Sequence, residues 1–495
     1  MIREFQVSPL VLLTSVLVLA AGELASGTGL YFVAMMAVAM ISIGVTFNLL
    51  GGLRTFSGII FTGFALRTIV ISQFAKVLLY ERADKNLEVP QLTISIYAVF
   101  FFSAMLGAFV FGNARLPLPK PWEPKTYGHA QRIYAVSCSV GLVAMIVWES
   151  YFNAFGTENR FDETRSAAQA FSPLLLFALV LAVNLQIKRT NGRHSFGWGV
   201  FVPWFVTMGF GLIDSVRTSI LAPSIIYFAT CYVNGYQFRK RHYIAAVSGI
   251  ALFFMFVSPL EIYTRNFTRD LSLRERAQMA LFVVSSFHSL SELNSAVLGR
   301  FEESSSANRE GYYNNAALYT LSRLSEIRAD SNLIASCANG SRYGLTAVKI
   351  DFSRMIPSFI DPKKERVGGE NYLGHVAGTI SDEDPITQIE FSAVADSYGG
   401  FGWWGVVLFP LFGFPLVYII NESMFGDISQ PWSTVALGTS FLLFGGMNMG
   451  RLAQLVLRDP IFILLLSYLV VGITKMVYTK GSKRFLIDPE QNVES

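Results

Sequence analysis

Repeated apolar runs of about 20 residues constrain this chain most, because a helix needs roughly that length to cross a bilayer's hydrocarbon core. They recur at about 8–25, 29–50, 57–80, 92–112, 133–151, 171–187, 198–213, 218–236, 243–262, 401–420, 433–450 and 461–478. Charged residues make up 15% of the 495, against about 25% in a soluble domain. The pattern predicts an all-α polytopic membrane protein with about twelve transmembrane helices and one large late loop outside the membrane. The third run is interrupted by Arg67 and Lys76. The first run follows a single basic residue, Arg3, and further spans come at once, so it reads as a transmembrane helix and not a cleaved leader.

Lys and Arg concentrate in short connections, which sets the expected orientation. "NARLPLPKPWEPKTYGHAQR", "KRTNGRH", "QFRKRH" and "TKGSKR" follow spans four, six, eight and twelve. The positive-inside rule puts them, and both termini, in the cytoplasm. The connections after spans one, five and seven ("ELASGTG", "FNAFGTENRFDETRSAAQA" and "DSVR") then face outward. The polar stretch 263–400 follows span nine and faces outward too; its arginines do not oppose this, since long loops cross regardless of charge. The expected division is 1–262 a bundle of about nine spans, 263–400 an external domain, 401–480 about three more spans, and 481–495 a cytoplasmic tail.

A connection as long as 263–400 carries structure or function more often than not. In "RAQMALFVVSSFHSLSELNSAVLG" and "NNAALYTLSRLSEIRADSNLIAS" apolar residues recur at helical spacing with polar ones between. Two amphipathic helices are expected, on the membrane surface or packed over the bundle. Cys138 and Cys231 lie in apolar runs and Cys337 in the polar region, a set without disulfide or metal spacing.

The charged residues of the outer face are the candidates for chemistry. Arg217 sits at the outer mouth of span eight; it either snorkels to the interface or contacts an anion in an outward cavity. Arg323 and Arg328 flank the stripe Leu318, Leu321, Leu324 and Ile327. They form either a solvated face or bidentate phosphate contacts. In "RMIPSFIDPKKERVGGENYLGH", Pro357 and Pro362 fix an extended turn, and Gly368 and Gly369 permit close backbone approach. Arg354 and Arg366 there can clamp a diphosphate, and Glu370 or His375 can take a proton. Ile386, Ile389 and Ala393 lead as a helix toward "GGFGWWG", whose tryptophans suit an interfacial belt. Arg67, near the middle of an apolar run, is a functional candidate by its cost alone. No Walker A sequence, no Asp-x-Asp in the first external loop and no His/Cys cluster occurs, so neither ATP hydrolysis nor metal dependence is expected.

The run "RMIPSFIDPKK", then "ENYLGH", "DEDPIT" and "ADSYGGFGWWG", resembles the Wzy-type oligosaccharide repeat-unit polymerases, the O-antigen polymerase-like family. "VRTSIL" resembles the family's Arg at the outer end of a mid-chain span. The resemblance covers the topology of most of the chain, and motifs only at about 350–405 and around Arg217. It implies an inverting, metal-independent and cofactor-free glycosyl transfer at the periplasmic face of the bacterial inner membrane. Undecaprenyl-diphosphate-linked oligosaccharides would be both donor and acceptor. A chain-length regulator and a flippase would be partners, and no nucleic acid would be bound. Under that reading Arg217, Arg323, Arg328, Arg354 and Arg366 steady the diphosphates. His375 or Glu370, with Asp396 behind them, serves as base. A ligase-like transferase using the same donor, a lipid-linked oligosaccharide transporter and a non-catalytic assembly scaffold are the rivals.

Overall fold

The computed structural model describes residues 6–124, 126–154, 170–213, 217–253, 312–313, 325–340, 342–356, 368–381, 383–384, 387–442 and 447–481, with a few isolated positions besides. Among these residues the regular structure is helical and no strand occurs. In chain order the helices are α1 (Pro9–Ala25), α2 (Leu30–Leu49), α3 (Phe56–Leu78), α4 (Pro90–Phe111), α5 (Tyr127–Ala154), α6 (Pro173–Arg189), α7 (Trp198–Ile213), α8 (Arg217–Val233) and α9 (Lys240–Leu252). In the polar region come α10 (Ile327–Ala338), α11 (Thr346–Met355), α12 (Gly369–Val376) and α13 (Ala393–Phe401). The chain then continues with α14 (Trp403–Phe425), α15 (Pro431–Leu442), α16 (Met449–Leu457) and α17 (Asp459–Gly481).

Six helices among the described residues are long and apolar enough to span a bilayer: α2, α3, α4, Tyr127–Trp148 of α5, α14, and Met449–Tyr478 built from α16 and α17. Pro9–Ala25, Trp198–Leu212 and Ile220–Val233 are apolar but shorter. These helices mark a membrane protein. Proline opens α1, α4, α6 and α15, where its missing N–H leaves no helical bond unmade and its fixed φ suits the first turn. Hydroxyls within the apolar helices are satisfied by their own backbone: Thr46 donates to Ser42 O, Thr68 to Phe64 O, and Thr230 to Ile226 O at 2.6–2.7 Å. No water is available in lipid to do the same.

An aromatic cluster ties α3, α4 and α14 together. Phe61, Phe64, Phe100, Phe101 and Phe414 meet with ring centroids 5.2–6.3 Å apart, each pair adding about 0.5–1.5 kcal/mol to its area burial. Gly107 lets α4 approach the π-helical turn Phe409–Gly413 of α14; a Cβ there would lie 2.8 Å from the Leu411 carbonyl oxygen.

The helix expected through Ile386, Ile389 and Ala393 begins only at Ala393, where the Ser392 hydroxyl accepts from Val394 N. Two further boundaries differ from the sequence expectation. The interrupted third run is one helix of 23 residues, with a π-helical turn at Leu66–Val70 that contains Arg67. The run 433–450 is not one helix. Asn448 caps a new one, its Oδ1 accepting from Arg451 N at 2.8 Å, so Met449 and Gly450 belong to the start of α16.

The described helices of the polar region pack into the bundle. α10 and α13 pack on each other and on α4, while α11 lies against α12 and α16. Tyr97 stands about 10 Å along α4 from its first residue, yet its hydroxyl donates to Asp330 of α10 at 2.5 Å. Two turns of α4 therefore run beside polar-region helices.

Candidate functional site

The site forms where α11, α12 and α13 converge on the first turn of α16. Asp351 of α11 organises it. One carboxylate oxygen accepts from Gly369 N at 2.9 Å and the other from Asn448 Nδ2 at 3.2 Å. It thus sits at the N-termini of α12 and α16 together, where unpaired amides and the helix dipoles favour an anion. Neither helix leaves room for a side chain at the contact: a Cβ on Gly369 would lie 2.8 Å, and one on Gly450 2.1 Å, from Asp351 Oδ2. Asp396 of α13 completes the attachment, accepting from Met449 N at 2.8 Å and from the Tyr343 hydroxyl at 2.9 Å. Its burial pushes its pKa up to about 6, against the lowering effect of those two bonds.

This anchoring carries two arginines to one place. Arg451, in the first turn of α16, has its Nε 3.2 Å from Glu370 Oε1 and donates through Nη1 to Gln454 at 3.0 Å. Arg354, at the end of α11, lies over Gly368, where an added Cβ would meet its Nη1 at 2.1 Å. Burial first, and then the like charge of Arg451, lowers the proton affinity of the Arg354 guanidinium, and Arg458 acts in the same sense. Two half-buried guanidiniums held within electrostatic reach repel each other, and an anion between them relieves that repulsion. Glu370 occupies that role: buried, 6% exposed, in contact with Arg451 and within electrostatic reach of Arg354 and Arg67. Its pKa is raised, chiefly by burial, while the arginines pull it down.

A second group of charges borders the first. Arg67, on the π turn of α3, places Nε 3.1 Å from Glu326 Oε1 and its Nη2 on Glu390. Four residues past Glu326, buried Asp330 accepts from Tyr97, from Ser392 N at 2.9 Å and from the Ser392 hydroxyl. Burial, reinforced by Glu326, pushes its pKa up to about 7. Asn371 of α12 donates to the carbonyls of Asp384 and Thr387 at 3.2 and 2.6 Å. It thereby fixes the strand of chain that brings Glu390 to Arg67.

The structure brings Arg354, Glu370, Asp396 and Arg67 of the sequence candidates into this neighbourhood. His375 shares α12 with Glu370 but is five residues on, about 140° around the helix, and is half-buried. The two cannot address one point from the same face. Arg328 lies half-buried on α10. Arg217 is the first residue of α8, and its side chain lies outside the described residues. Arg323 and Arg366 lie outside them as well, as do the proline turn at 357–362 and the first amphipathic stretch apart from isolated positions.

Arg451, Asp351, Asp330 and Glu326 were not among the sequence candidates. A signal for Arg451 existed: "RLAQLVLRDP", after the apolar run 433–450, carries two arginines and an acid. Among the described residues no three His, Cys, Asp or Glu side chains converge to hold a metal ion. Chemically, the arrangement can bind a multiply charged anion across Arg354 and Arg451, stabilise negative charge that develops there, and accept a proton at Glu370. No protein-family model matches the chain, and no curated protein or solved structure matches it.

Proposed function

We propose that this protein is an integral-membrane glycosyltransferase that polymerises oligosaccharide repeat units carried on undecaprenyl diphosphate. It would act at the periplasmic face of a bacterial inner membrane, with about twelve spans and both termini in the cytoplasm. The supporting observation is the convergence of Arg354 and Arg451, from separate segments, beside the buried carboxylate of Glu370. A lipid diphosphate leaving group needs preorganised cations, and the cheapest place to supply them is a water-poor seam whose backbone is already fixed. Asp351 and Asp396 fix it here.

In this reading the donor's diphosphate lies across Arg354 and Arg451. A hydroxyl of the acceptor unit attacks the donor's anomeric carbon from the opposite face. The new glycosidic C–O bond forms as the bond to the diphosphate oxygen breaks, and the electron pair leaves with the lipid diphosphate. The acceptor proton passes to Glu370, or to His375 if the acceptor approaches from that side of α12. A chain-length regulator and a flippase for the repeat unit are the expected partners.

The test is purified protein in nanodiscs supplied only with the undecaprenyl-diphosphate repeat unit of its own pathway. A ladder of lipid-linked oligomers is expected, and loss of the ladder in Arg451→Gln and Arg354→Gln at unchanged protein level. Transfer only to a lipid A-type or protein acceptor would make it a ligase instead. No transfer to any acceptor would overturn the reading.

A further inference from the structure

We infer that Glu370 is a resident anion of the arginine site, seated where a substrate's diphosphate binds and displaced by it. This rests on the function proposed above for the same site. Among the described residues, Glu370 is the carboxylate within reach of arginines from three separate segments: it contacts Arg451 of α16 and lies in the field of Arg354 of α11 and Arg67 of α3. Four other acids nearby are committed differently. Asp351 takes a backbone amide of α12 and the side chain of Asn448. Asp396 takes the backbone amide of Met449 and the Tyr343 hydroxyl. Glu326 and Glu390 pair with Arg67. Removing Asp351 or Asp396 would undo the packing of helices; removing the Glu370 charge would undo only an ion pair.

The chemistry of exchange is direct. A diphosphate offers more charge and more acceptor oxygens than one carboxylate, and arginine binds phosphate oxygens two at a time. On its arrival the Arg451 guanidinium turns from Glu370 to the phosphate. Glu370, on the first turn of α12, is then a carboxylate without its cation beside the bound donor. Loss of that cation adds to the burial that already raises its affinity for a proton. Without substrate, the same ion pair neutralises the half-buried Arg451.

The test measures binding and not turnover. Wild type, Glu370→Gln and Arg451→Gln, each in nanodiscs, are titrated with inorganic pyrophosphate and, separately, with farnesyl diphosphate and farnesol. Glutamine keeps the size of the side chain and an oxygen for Arg451, so the fold is retained; Glu370→Asp, which draws the charge back by one methylene, serves as a second variant. Glu370→Gln is expected to bind both diphosphates on the order of tenfold to a hundredfold more tightly than wild type, the scale of one charged hydrogen bond no longer competing. Glu370→Asp should fall between, and Arg451→Gln should lose binding. Tightening with farnesyl diphosphate alone would assign the site to lipid-linked anions, and tightening with both to the diphosphate group itself; either supports the proposal. Unchanged or weaker binding by Glu370→Gln, with Arg451→Gln still defective, would overturn the resident-anion role and leave the diphosphate site standing. Tighter binding without glycan transfer to any acceptor would leave the inference intact and sink the proposed function. Absence of diphosphate binding in wild type and Glu370→Gln alike would overturn both.

Discussion

Gly368 separates the position of Arg354 from the stability of the fold. Its backbone is extended, with φ −84° and ψ 165°, so alanine is tolerated there without strain. The cost falls elsewhere: the new Cβ would stand 2.1 Å from Arg354 Nη1. Ordinary contact begins near 3.4 Å, so the guanidinium must retreat by about 1.3 Å, and as the end of a flexible side chain it can do so cheaply. A displacement of about 1 Å in a charged positioning group costs on the order of a hundredfold in rate. Gly368→Ala is therefore expected to lower turnover of the lipid-linked donor by about a hundredfold while shifting the melting temperature in detergent by no more than a surface substitution does. Gly450 is the contrasting case. A Cβ there would meet Asp351 Oδ2 at 2.1 Å and Asp351 Cβ at 2.6 Å, and Asp351 is held on two sides and cannot move. Gly450→Ala should lose about 1–3 kcal/mol of stability by overpacking as well as activity. A double-mutant cycle decides the mechanism. If Gly368→Ala acts through Arg354, it has no further effect on turnover in an Arg354→Ala background. A full additional loss there, or wild-type activity in Gly368→Ala alone, would refute the reasoning.

Three other outcomes follow from the same seam. Arg67→Ala leaves Glu326, 3% exposed, without its cation, and should cost about 3–5 kcal/mol; thermal unfolding measures this, and the double variant Arg67→Met with Glu326→Gln should recover much of the loss. Asp330 has a folded pKa of about 7, above its ordinary 3.8, so its contribution is fully present below the ordinary value and is lost as pH rises through about 7. Asp396, at about 6, acts in the same direction; melting temperature should fall between these limits as pH rises, and Asp330→Asn should flatten part of that slope. Lys76→Met removes a buried ammonium 2.9 Å from Glu81 and 4.3 Å from the Tyr312 ring centroid. It should loosen the attachment of Tyr312 and Tyr313 to α3, read as faster protease cleavage near those residues, with no faster cleavage elsewhere.

How far this protein could be read from its residues depends on the range of the interaction concerned. The apolar helices were legible because the signal is local: a run of one solvent preference, about as long as a bilayer is thick. Arg67 was legible only as an anomaly. Its partners lie in the polar region, Glu390 at 323 positions' separation, and no periodicity in α3 announces them. The same holds for Tyr97 and Asp330, 233 apart: a tyrosine in an apolar run looks like core until the acid arrives. Arg354 and Glu370 were picked out by a charged stretch in an otherwise apolar chain. Arg451 was passed over because Met449 and Gly450 read as the end of an apolar run, when Asn448 is in fact a cap that starts a helix. His375 was weighted by residue type, and helix geometry then turned it about 140° from Glu370. One physical rule points to these partners from the residues alone. A charge inside an apolar run must be matched by an opposite charge or a hydrogen-bond partner brought to it. Lys76 finds its acid in the next connection, at Glu81; Arg67 has none in either flanking connection, so the acid-rich polar region is the place to look. That requirement implies that part of the polar region reaches into the bundle, which is where Glu326, Glu390 and Tyr312 meet α3.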